Sequence, residues 1–285
     1  MARDPECDGG GRRLIPRAHV TAWRARVPWP TDAQVEQDLV LSRALVALFA
    51  DPAVAQAAAF RGGTALHKLF FERPARYSED IDLVQTAAGA IGTTLDAIRA
   101  ALDPWLGEPR RTRGQGRVTM LYRFDTTSRP VQRMRLKVEI NTREHFTVLG
   151  RERRAFAVDN PWFSGRAEVS TYGIEELLGT KLRALYQRQK GRDLYDLWMA
   201  LTSLDVDDRK VIECFRRYMD EGGVRVSRAE LEANLRAKLA APAFLDDLAP
   251  LLAGDVSYDT RAAGALVLER LIAGLPGEPW KGAVS

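Results

Sequence analysis

The sequence predicts an α/β (α+β) fold, in which strands and helices alternate at first and helices follow to the end of the chain. Short apolar runs with strand-like alternation occur before about residue 141, and residues 143–161 are polar, basic and irregular, which predicts a linker or a substrate-facing strand. The sequence from Thr171 to Glu175 predicts a capping box, and after it apolar residues recur at helical spacing through the rest of the chain. We therefore predict three regions, which are a flexible tail at residues 1–14, an α/β domain with a mixed sheet at 15–165 and a helical domain at 166–285.

The α/β region begins with a helix that Thr31 caps and that Asp51-Pro52 ends. A strand at residues 57–61 and a helix from Thr64 to Phe71, capped by Thr64, follow. The next elements are a strand at residues 80–84, a helix at 94–106 and strands at 117–124 and 132–140. The turn-like residues between the last two strands predict a hairpin.

Two aspartates on the predicted strand at 80–84 indicate a metal site. Residues two apart on a strand point to the same face, so Asp80 and Asp82 project together while Ile81 faces the core. Two neighbouring carboxylates repel each other unless a cation lies between them. Mg²⁺ binds one or two carboxylates together with substrate phosphates. A solvated strand end is the simpler interpretation of this pair taken alone.

Two glycines precede the short helix at Thr64. Backbone N–H groups at a helix N-terminus favour a phosphate, and glycine lets the backbone approach it closely. Gly62, Gly63 and Thr64 are therefore candidate phosphate-binding residues. A turn with a cap is the more common use of such a triplet, so the argument depends on its position just before the paired aspartates.

A third carboxylate lies on the strand at 132–140. Arg133, Arg135, Lys137 and Glu139 alternate with apolar residues and share one face. Glu139 is a candidate metal ligand or general base. From the residues alone, an ion pair between Glu139 and a neighbouring arginine is an equally good interpretation.

The helical half carries a lysine and two aspartates of interest. Lys181 borders a stripe of leucines, where it either extends to solvent or points into a lined site. Asp193 and Asp196 lie on one side of the next helix. Alone, Asp193 is best explained as an acidic residue near a helix N-terminus. The three histidines, His19, His67 and His145, follow no metal-ligand spacing and are expected to have no special role.

The net charge is +4, but basic residues concentrate in one segment. Residues 110–154 contain thirteen Arg or Lys against four Asp or Glu, a local charge of +9. This favours a polyanionic partner over a merely solvated face. The candidate RNA-binding residues are Arg110, Arg111, Arg113, Arg117, Arg151, Arg153 and Arg154. Two cysteines make no disulfide framework, and no apolar run is long enough to span a membrane, which together predict a cytoplasmic protein.

Two segments resemble a known family. The segments Phe60–Leu66 (FRGGTAL) and Arg76–Leu83 (RYSEDIDL) resemble the first motif of polymerase-β-like nucleotidyltransferases, and more narrowly that of the AbiEii/MenT toxins of type IV toxin–antitoxin systems. The residues Lys181 and Arg192–Asp196 resemble the second conserved block of that family. The resemblance spans about residues 60–198.

This resemblance implies a minimal nucleotidyltransferase domain followed by a helical domain. It implies Mg²⁺ held by Asp80 and Asp82, and an NTP substrate bound by Gly62, Gly63, Thr64, Arg76 and Ser78. The catalytic lysine and later aspartate of the family fall on Lys181 and on Asp196 or Asp193, and Glu139 fits the third carboxylate. The implied acceptor is RNA, most often the tRNA 3′ end, and the implied partner is a separately encoded antitoxin. One alternative is nucleotidyl transfer to a small molecule or a protein. The other is a catalytically inactive module that binds an NTP or RNA. The oligomeric state is left open.

Overall fold

The computed structural model describes residues 15–248, 251–252 and 257–282. The predicted tail at residues 1–14 lies outside the described residues. In the described part of the chain no helix is both long and apolar enough to cross a membrane.

Seven strands form one mixed sheet, in the order β3-β4-β5-β2-β1-β7-β6. The strands are β1 (Ala58–Arg61), β2 (Asp80–Gln85), β3 (Arg110–Gly114), β4 (Arg117–Asp125), β5 (Arg133–Asn141), β6 (Arg151–Asn160) and β7 (Phe163–Tyr172). β2 runs parallel to β5, whereas β4 runs antiparallel to both β3 and β5. The predicted mixed sheet and the predicted hairpin, now β4–β5, are therefore confirmed.

Helices precede, interrupt and follow the strands. They are α1 (Arg17–Arg24), α2 (Asp32–Ala50), α3 (Pro52–Ala57), α4 (Gly62–Leu69), α5 (Gly92–Leu106), α6 (Ile174–Gln187), α7 (Gly191–Ser203), α8 (Asp208–Glu221), α9 (Arg228–Leu239), α10 (Pro242–Leu245) and α11 (Thr260–Arg270). A 3-10 turn at Ile272–Gly274 follows α11. Thr31 caps α2 as predicted, in a capping box with Gln34, and α2 ends at Ala50 before Asp51-Pro52.

Two predicted caps are wrong. α4 begins at Gly62 rather than at Thr64, and its N-cap residue, Arg61, makes no side-chain cap bond. Thr171, predicted to begin a capping box, lies in β7, where its hydroxyl donates a hydrogen bond to the Phe60 carbonyl at 2.7 Å. Because the Thr171 hydroxyl is used on the strand, it does not cap the helix, and α6 begins at Ile174 with Gly173 as its N-cap residue.

The described residues group by contact into two units, and each unit combines distant segments. Unit 1 comprises Glu79–Glu144, Ala155–Val169 and the described part of Met1–Ala58. Unit 2 comprises Ala59–Ser78, His145–Arg154 and the described part of Ser170–Ser285. The predicted boundary between residues 165 and 166 falls inside β7.

The core of unit 1 lies between the helices and one face of its strands. Apolar side chains of α2 and α5, such as Leu39 and Ile98, are fully buried, as are Ile81, Val138 and Met120 on β2, β5 and β4. The core of unit 2 is helical, and it joins leucines of α6 and α7 to Leu66 of α4 and Phe215 of α8.

Candidate active site

In unit 1, β2 presents two carboxylates on one face. Ile81 and Leu83 are buried, while Asp80 and Asp82 are only half-buried. This alternation is the one that the sequence predicts for a strand with one face in the core. The two carboxylates therefore lie on the same side of the sheet.

The pairing of β2 with β5 brings Lys137 and Glu139 to the same place. In the parallel register Asp80 lies opposite Lys137, and Asp82 lies opposite Glu139. The Lys137 Nζ is 2.9 Å from the Asp80 Oδ2 and 3.8 Å from the Glu139 Oε2. Burial acts to lower the pKa of Lys137, but the hydrogen bond to Asp80 and the charges of the neighbouring carboxylates raise it above its usual value. The ammonium therefore remains charged.

These residues fit a magnesium ion in their donor chemistry. Carboxylate oxygens are the ligands that Mg²⁺ takes, and the ammonium of Lys137 shows that a cation is stabilised beside Asp80. Within the described residues, no group of three or more His, Cys, Asp or Glu is arranged to hold a metal ion. That finding agrees with a magnesium ion that would be held by two protein carboxylates, with substrate phosphates and water as its other ligands. Asp80 and Asp82 are the residues that could hold the ion.

In unit 2, the strand-to-helix junction at Gly62 requires glycine. The φ angle of Gly62 is 87°, in the left-handed region that other residues rarely adopt. Gly63 follows, and a Cβ added there would collide with the Arg76 guanidinium. Thr64 is nearly fully buried, and its hydroxyl contacts that of Ser78 in a short hydrogen bond. The predicted phosphate-binding residues Gly62, Gly63, Thr64, Arg76 and Ser78 thus all lie in unit 2.

Asp196 is the centre of a buried network in unit 2. Arg76 donates two hydrogen bonds to this carboxylate, from Nε at 2.8 Å and from a terminal nitrogen at 2.9 Å. The Lys181 Nζ lies 2.9 Å from the Asp196 Oδ2. Burial alone would raise the pKa of Asp196, but the charges of Arg76 and Lys181 hold it well below its usual range. Asp196 is therefore a permanent anion.

His67 joins this network, against the prediction that it has no special role. Its Nε2 lies 2.9 Å from the Asp196 Oδ1, and the ring is buried. Burial lowers the pKa of His67, and Asp196 offsets this only in part. The imidazole is therefore neutral, and its Nε2–H group donates a hydrogen bond to the Asp196 carboxylate. One feature of the sequence could have indicated this contact, namely the position of His67 on the helix that follows the two glycines.

Asp193 holds the other side of Lys181. The Lys181 Nζ lies 3.2 Å from the Asp193 Oδ1, and Arg188 donates to both oxygens of Asp193 at 2.6 and 2.7 Å. Lys181 is only 7% exposed, and both aspartates are fully buried. Sequence reasoning missed Arg188. With His67 neutral, two carboxylates face the three cations Arg76, Lys181 and Arg188, which leaves one surplus positive charge.

The predicted RNA-binding arginines fall into two groups. Arg110, Arg111, Arg113 and Arg117 lie on β3 and β4 in unit 1, and they are exposed. Arg151, Arg153 and Arg154 lie on β6 in unit 2. Arg154 is engaged within unit 2, since it donates to Glu152 and lies over the Phe70 ring.

A family model decides the relationship of this chain to known proteins. Residues 43–265 match the model of the nucleotidyl transferase AbiEii toxin of type IV toxin–antitoxin systems. The chain belongs to the AbiEii family. The match includes both segments that the sequence singled out, from Gly62 to Asp82 and from Lys181 to Asp196. The chain is thus a nucleotidyltransferase and a toxin by family, and its family implies a separate antitoxin as partner.

Solved structures resemble this AbiEii chain in fold. MenT4, a nucleotidyltransferase toxin from Mycobacterium tuberculosis H37Rv, matches with a TM-score of 0.64 and 20% identity, over 92% of this chain and 91% of that chain. JHP933 from Helicobacter pylori matches with a TM-score of 0.50 and 17% identity, over 84% and 90% of the two chains. At these identities the likeness concerns the fold. No curated protein sequence matches the chain.

Proposed function

We propose that this AbiEii protein is a Mg²⁺-dependent enzyme that transfers a nucleoside monophosphate from an NTP to an RNA acceptor, the 3′ end of a tRNA. The observation that carries the proposal is the pair Asp80 and Asp82 on one strand face, with the Lys137 ammonium held 2.9 Å from the first of them. A site that stabilises a cation beside two oxygen donors is what a metal–triphosphate complex requires.

The reaction is an in-line displacement at the α-phosphorus. The acceptor hydroxyl oxygen forms a bond to that phosphorus, the bond from the phosphorus to the β-bridging oxygen breaks, and pyrophosphate leaves. A magnesium ion held by Asp80 and Asp82 would neutralise the charge that develops on the phosphate oxygens. Asp80 and Asp82 orient the ion, and Glu139, opposite Asp82 in the register, is the proposed acceptor of the hydroxyl proton.

The residues of unit 2 have proposed roles in nucleotide binding and leaving-group stabilisation. The N–H groups of Gly62, Gly63 and Thr64 at the start of α4 suit phosphate oxygens. Lys181 is held in one position by Asp193 and Asp196, in a network with one surplus positive charge. Such a charge stabilises a departing pyrophosphate. Arg76 and Ser78 fix the segment that precedes β2.

RNA is proposed as the acceptor because of the arginines of residues 110–154. A polyanion gains affinity from such a cluster by releasing condensed counterions, whereas a small acceptor does not. Cys214, a free cysteine buried on α8, accords with a reducing compartment, and we place the protein in the cytoplasm.

Labelled nucleotides test the proposal directly. The purified protein is incubated with each α-labelled NTP, Mg²⁺ and total RNA, and we expect label to appear on tRNA with at least one nucleotide. Asp82→Asn should abolish labelling while the thermal unfolding midpoint stays at the parent value, because Asp82 lies on the exposed side of the strand. Asp96→Asn, at an exposed aspartate of α5, is the matched control and should retain full activity. Label on protein or small molecules alone, or full activity of Asp82→Asn, would contradict the proposal.

A further inference from the structure

One face of the sheet in unit 1 is open and basic. Along β2, β3, β4 and β5, alternate residues face away from the core. We call the surface that these residues form the open face. The open face consists of Arg110, Thr112, Arg117, Thr119, Leu121, Arg123, Asp125, Arg133, Arg135, Lys137, Glu139, Asn141, Asp80 and Asp82. Each of these residues is half-buried or exposed.

Two arginines on this face lie directly opposite each other. In the antiparallel register of β4 and β5, Arg123 is the partner of Arg135, and both are exposed. Like charges at directly opposed positions destabilise a strand pair. Simple solvation does not explain why the sequence places two guanidinium groups here, since the hairpin would be more stable without one of them.

Within the described part of the chain, no acidic side chain forms an ion pair with Arg123 or Arg135, and Asp125, two residues from Arg123 on the same face, is paired with Arg133. Two other arginines of the open face do have acidic partners, since Arg133 lies 3.6 Å from Asp125 and Arg117 lies 4.0 Å from Glu139. The unneutralised charge is therefore concentrated at one cross-strand pair, and a phosphate placed there would bind two guanidinium groups at once.

The register also places this pair close to the metal-binding carboxylates. Arg135 is two residues before Lys137 on β5, about 7 Å along the strand, and Lys137 is the partner of Asp80. On the next strands, Lys137 lies opposite Leu121, which lies opposite Arg110. Arg110 is thus three strand spacings, roughly 14 Å, from Asp80 on the same face. A chain of phosphates that follows this face would approach Asp80 and Asp82.

We propose that Arg123 and Arg135, with Arg110 further along the open face, bind the phosphate backbone of the RNA acceptor and direct its end to the carboxylates. This inference rests on the proposed function and deepens it. Arg123 and Arg135 were not among the arginines predicted from the sequence, and Arg111 and Arg113 point to the opposite face of β3. Guanidinium forks suit phosphate oxygens, and closeness to the transfer chemistry favours RNA over an acidic protein.

Charge reversal at the pair tests the proposal by direct binding, without nucleotide. The affinity of fluorescein-labelled unfractionated tRNA is measured at several KCl concentrations for the parent and for the double variant Arg123→Glu/Arg135→Glu. We expect at least a tenfold loss of affinity. We also expect the slope of log Kd against log salt to fall by about 1.5, because two phosphate contacts are lost.

A matched control separates a specific contact from net charge. Arg17→Glu/Arg166→Glu reverses two exposed arginines of unit 1 that lie outside the open face, and it changes the net charge equally. This variant should lose less than threefold in tRNA affinity. In addition, Arg123→Gln without RNA should raise the thermal unfolding midpoint, because the opposed charges are relieved, whereas Arg17→Gln should leave it unchanged.

Three results would overturn the proposal. The first is an equal loss of tRNA affinity in the two double variants. The second is an unchanged salt slope in Arg123→Glu/Arg135→Glu. The third is that Arg123→Glu/Arg135→Glu loses binding to polyglutamate but not to tRNA. The last result would assign the open face to an acidic protein. Failure of the proposed function is measured separately, by label transfer with the parent protein. If the parent protein labels no RNA, the proposed function is overturned even where the two double variants differ in tRNA affinity. If the parent labels RNA but the two double variants bind tRNA equally, only the present proposal is overturned.

Discussion

Lys137 sets the electrostatics of the proposed metal site as much as the aspartates do. Its ammonium is 2.9 Å from Asp80 and 3.8 Å from Glu139, and it is the cation that balances these carboxylates when no metal is bound. A divalent ion that binds to Asp80 and Asp82 is repelled by this charge. Lys137 therefore weakens the intrinsic affinity for metal and favours binding of a metal already complexed with the negative triphosphate.

We expect Lys137→Met to bind Mn²⁺ more tightly in the absence of nucleotide, with a Kd at least threefold lower than that of the parent. The physical reason is that a positive charge is removed next to the two ligands. Electron paramagnetic resonance of free Mn²⁺ during a titration measures this directly. Lys210→Met, at an exposed lysine of α8, should leave the Kd unchanged. Weaker Mn²⁺ binding by Lys137→Met would show that the lysine supports the site rather than competing with the ion.

Lys181 combines a structural and a proposed catalytic role, because it is buried between two carboxylates. In Lys181→Met, Asp196 keeps Arg76 and His67, and Asp193 keeps Arg188, so neither anion is left without a partner. We expect a moderate loss of stability, about 1–3 kcal/mol, since a charge-assisted hydrogen bond is lost on each side.

Nucleotidyl transfer by Lys181→Met should fall by at least tenfold, equivalent to about 1.4 kcal/mol of transition-state stabilisation. The measurement is kcat per folded molecule, with the folded fraction determined by circular dichroism at the assay temperature. Arg188→Met removes a cation from the same network at its more exposed end and is the control. If both variants lose activity only in proportion to their stability, Lys181 has no role beyond the fold.

At the scale of the elements, helix α2 is tied to the β4–β5 hairpin by one buried carboxylate. Glu36 accepts the Thr127 N–H with both oxygens, at 2.9 and 3.1 Å. Burial raises the pKa of Glu36 to about 7, and hydrogen bonds from the backbone offset this only in part. Because β5 carries Lys137 and Glu139, this attachment helps to position one side of the proposed metal site.

The raised pKa of Glu36 makes stability depend on pH in a definite direction. The folded protein binds a proton that the unfolded chain has lost, between an unfolded pKa of 4.5 and a folded pKa of about 7. The stabilisation is complete below the unfolded value and is lost as the pH rises through the folded value. The thermal unfolding midpoint should therefore fall from pH 5 to pH 8, and Glu36→Gln should flatten this slope. Glu168→Gln, at an exposed glutamate of β7, should retain it.

At the scale of the whole molecule, the carboxylates of the candidate site have cationic partners within the chain itself. In the described part of the protein, the β2 carboxylates have Lys137, and the buried aspartates of unit 2 have their own cations. We expect EDTA to abolish transfer without changing the circular dichroism spectrum or lowering the unfolding midpoint. Added Mg²⁺ should restore activity. Unfolding on chelation would mean that the metal is a structural component, contrary to this account.

The sequence predicted what depends on local order and missed what depends on distant pairing. Alternation alone placed Asp80 and Asp82 on one strand face, and local patterns gave the Thr31 cap and the β4–β5 hairpin. The contact of Lys137 with Asp80 requires the register of two parallel strands, which no local pattern contains. His67 and Asp196 are 129 residues apart, and the partner of Thr64 is Ser78 rather than the helix N-terminus. The partners of these side chains therefore depend on long-range contacts, which the local motifs do not specify.

The convergence on Asp196 also has a consequence for how long a folded molecule lasts. Two of its bonds close loops of 129 and 120 residues, so we expect them to form late in the folding of unit 2. Interactions that form after the folding barrier has been crossed hardly affect the rate of folding, and they slow unfolding instead. We therefore expect the Asp196 network to slow unfolding. It lengthens the lifetime of the native state, and a toxin that stays folded for longer remains available for longer after its synthesis has stopped.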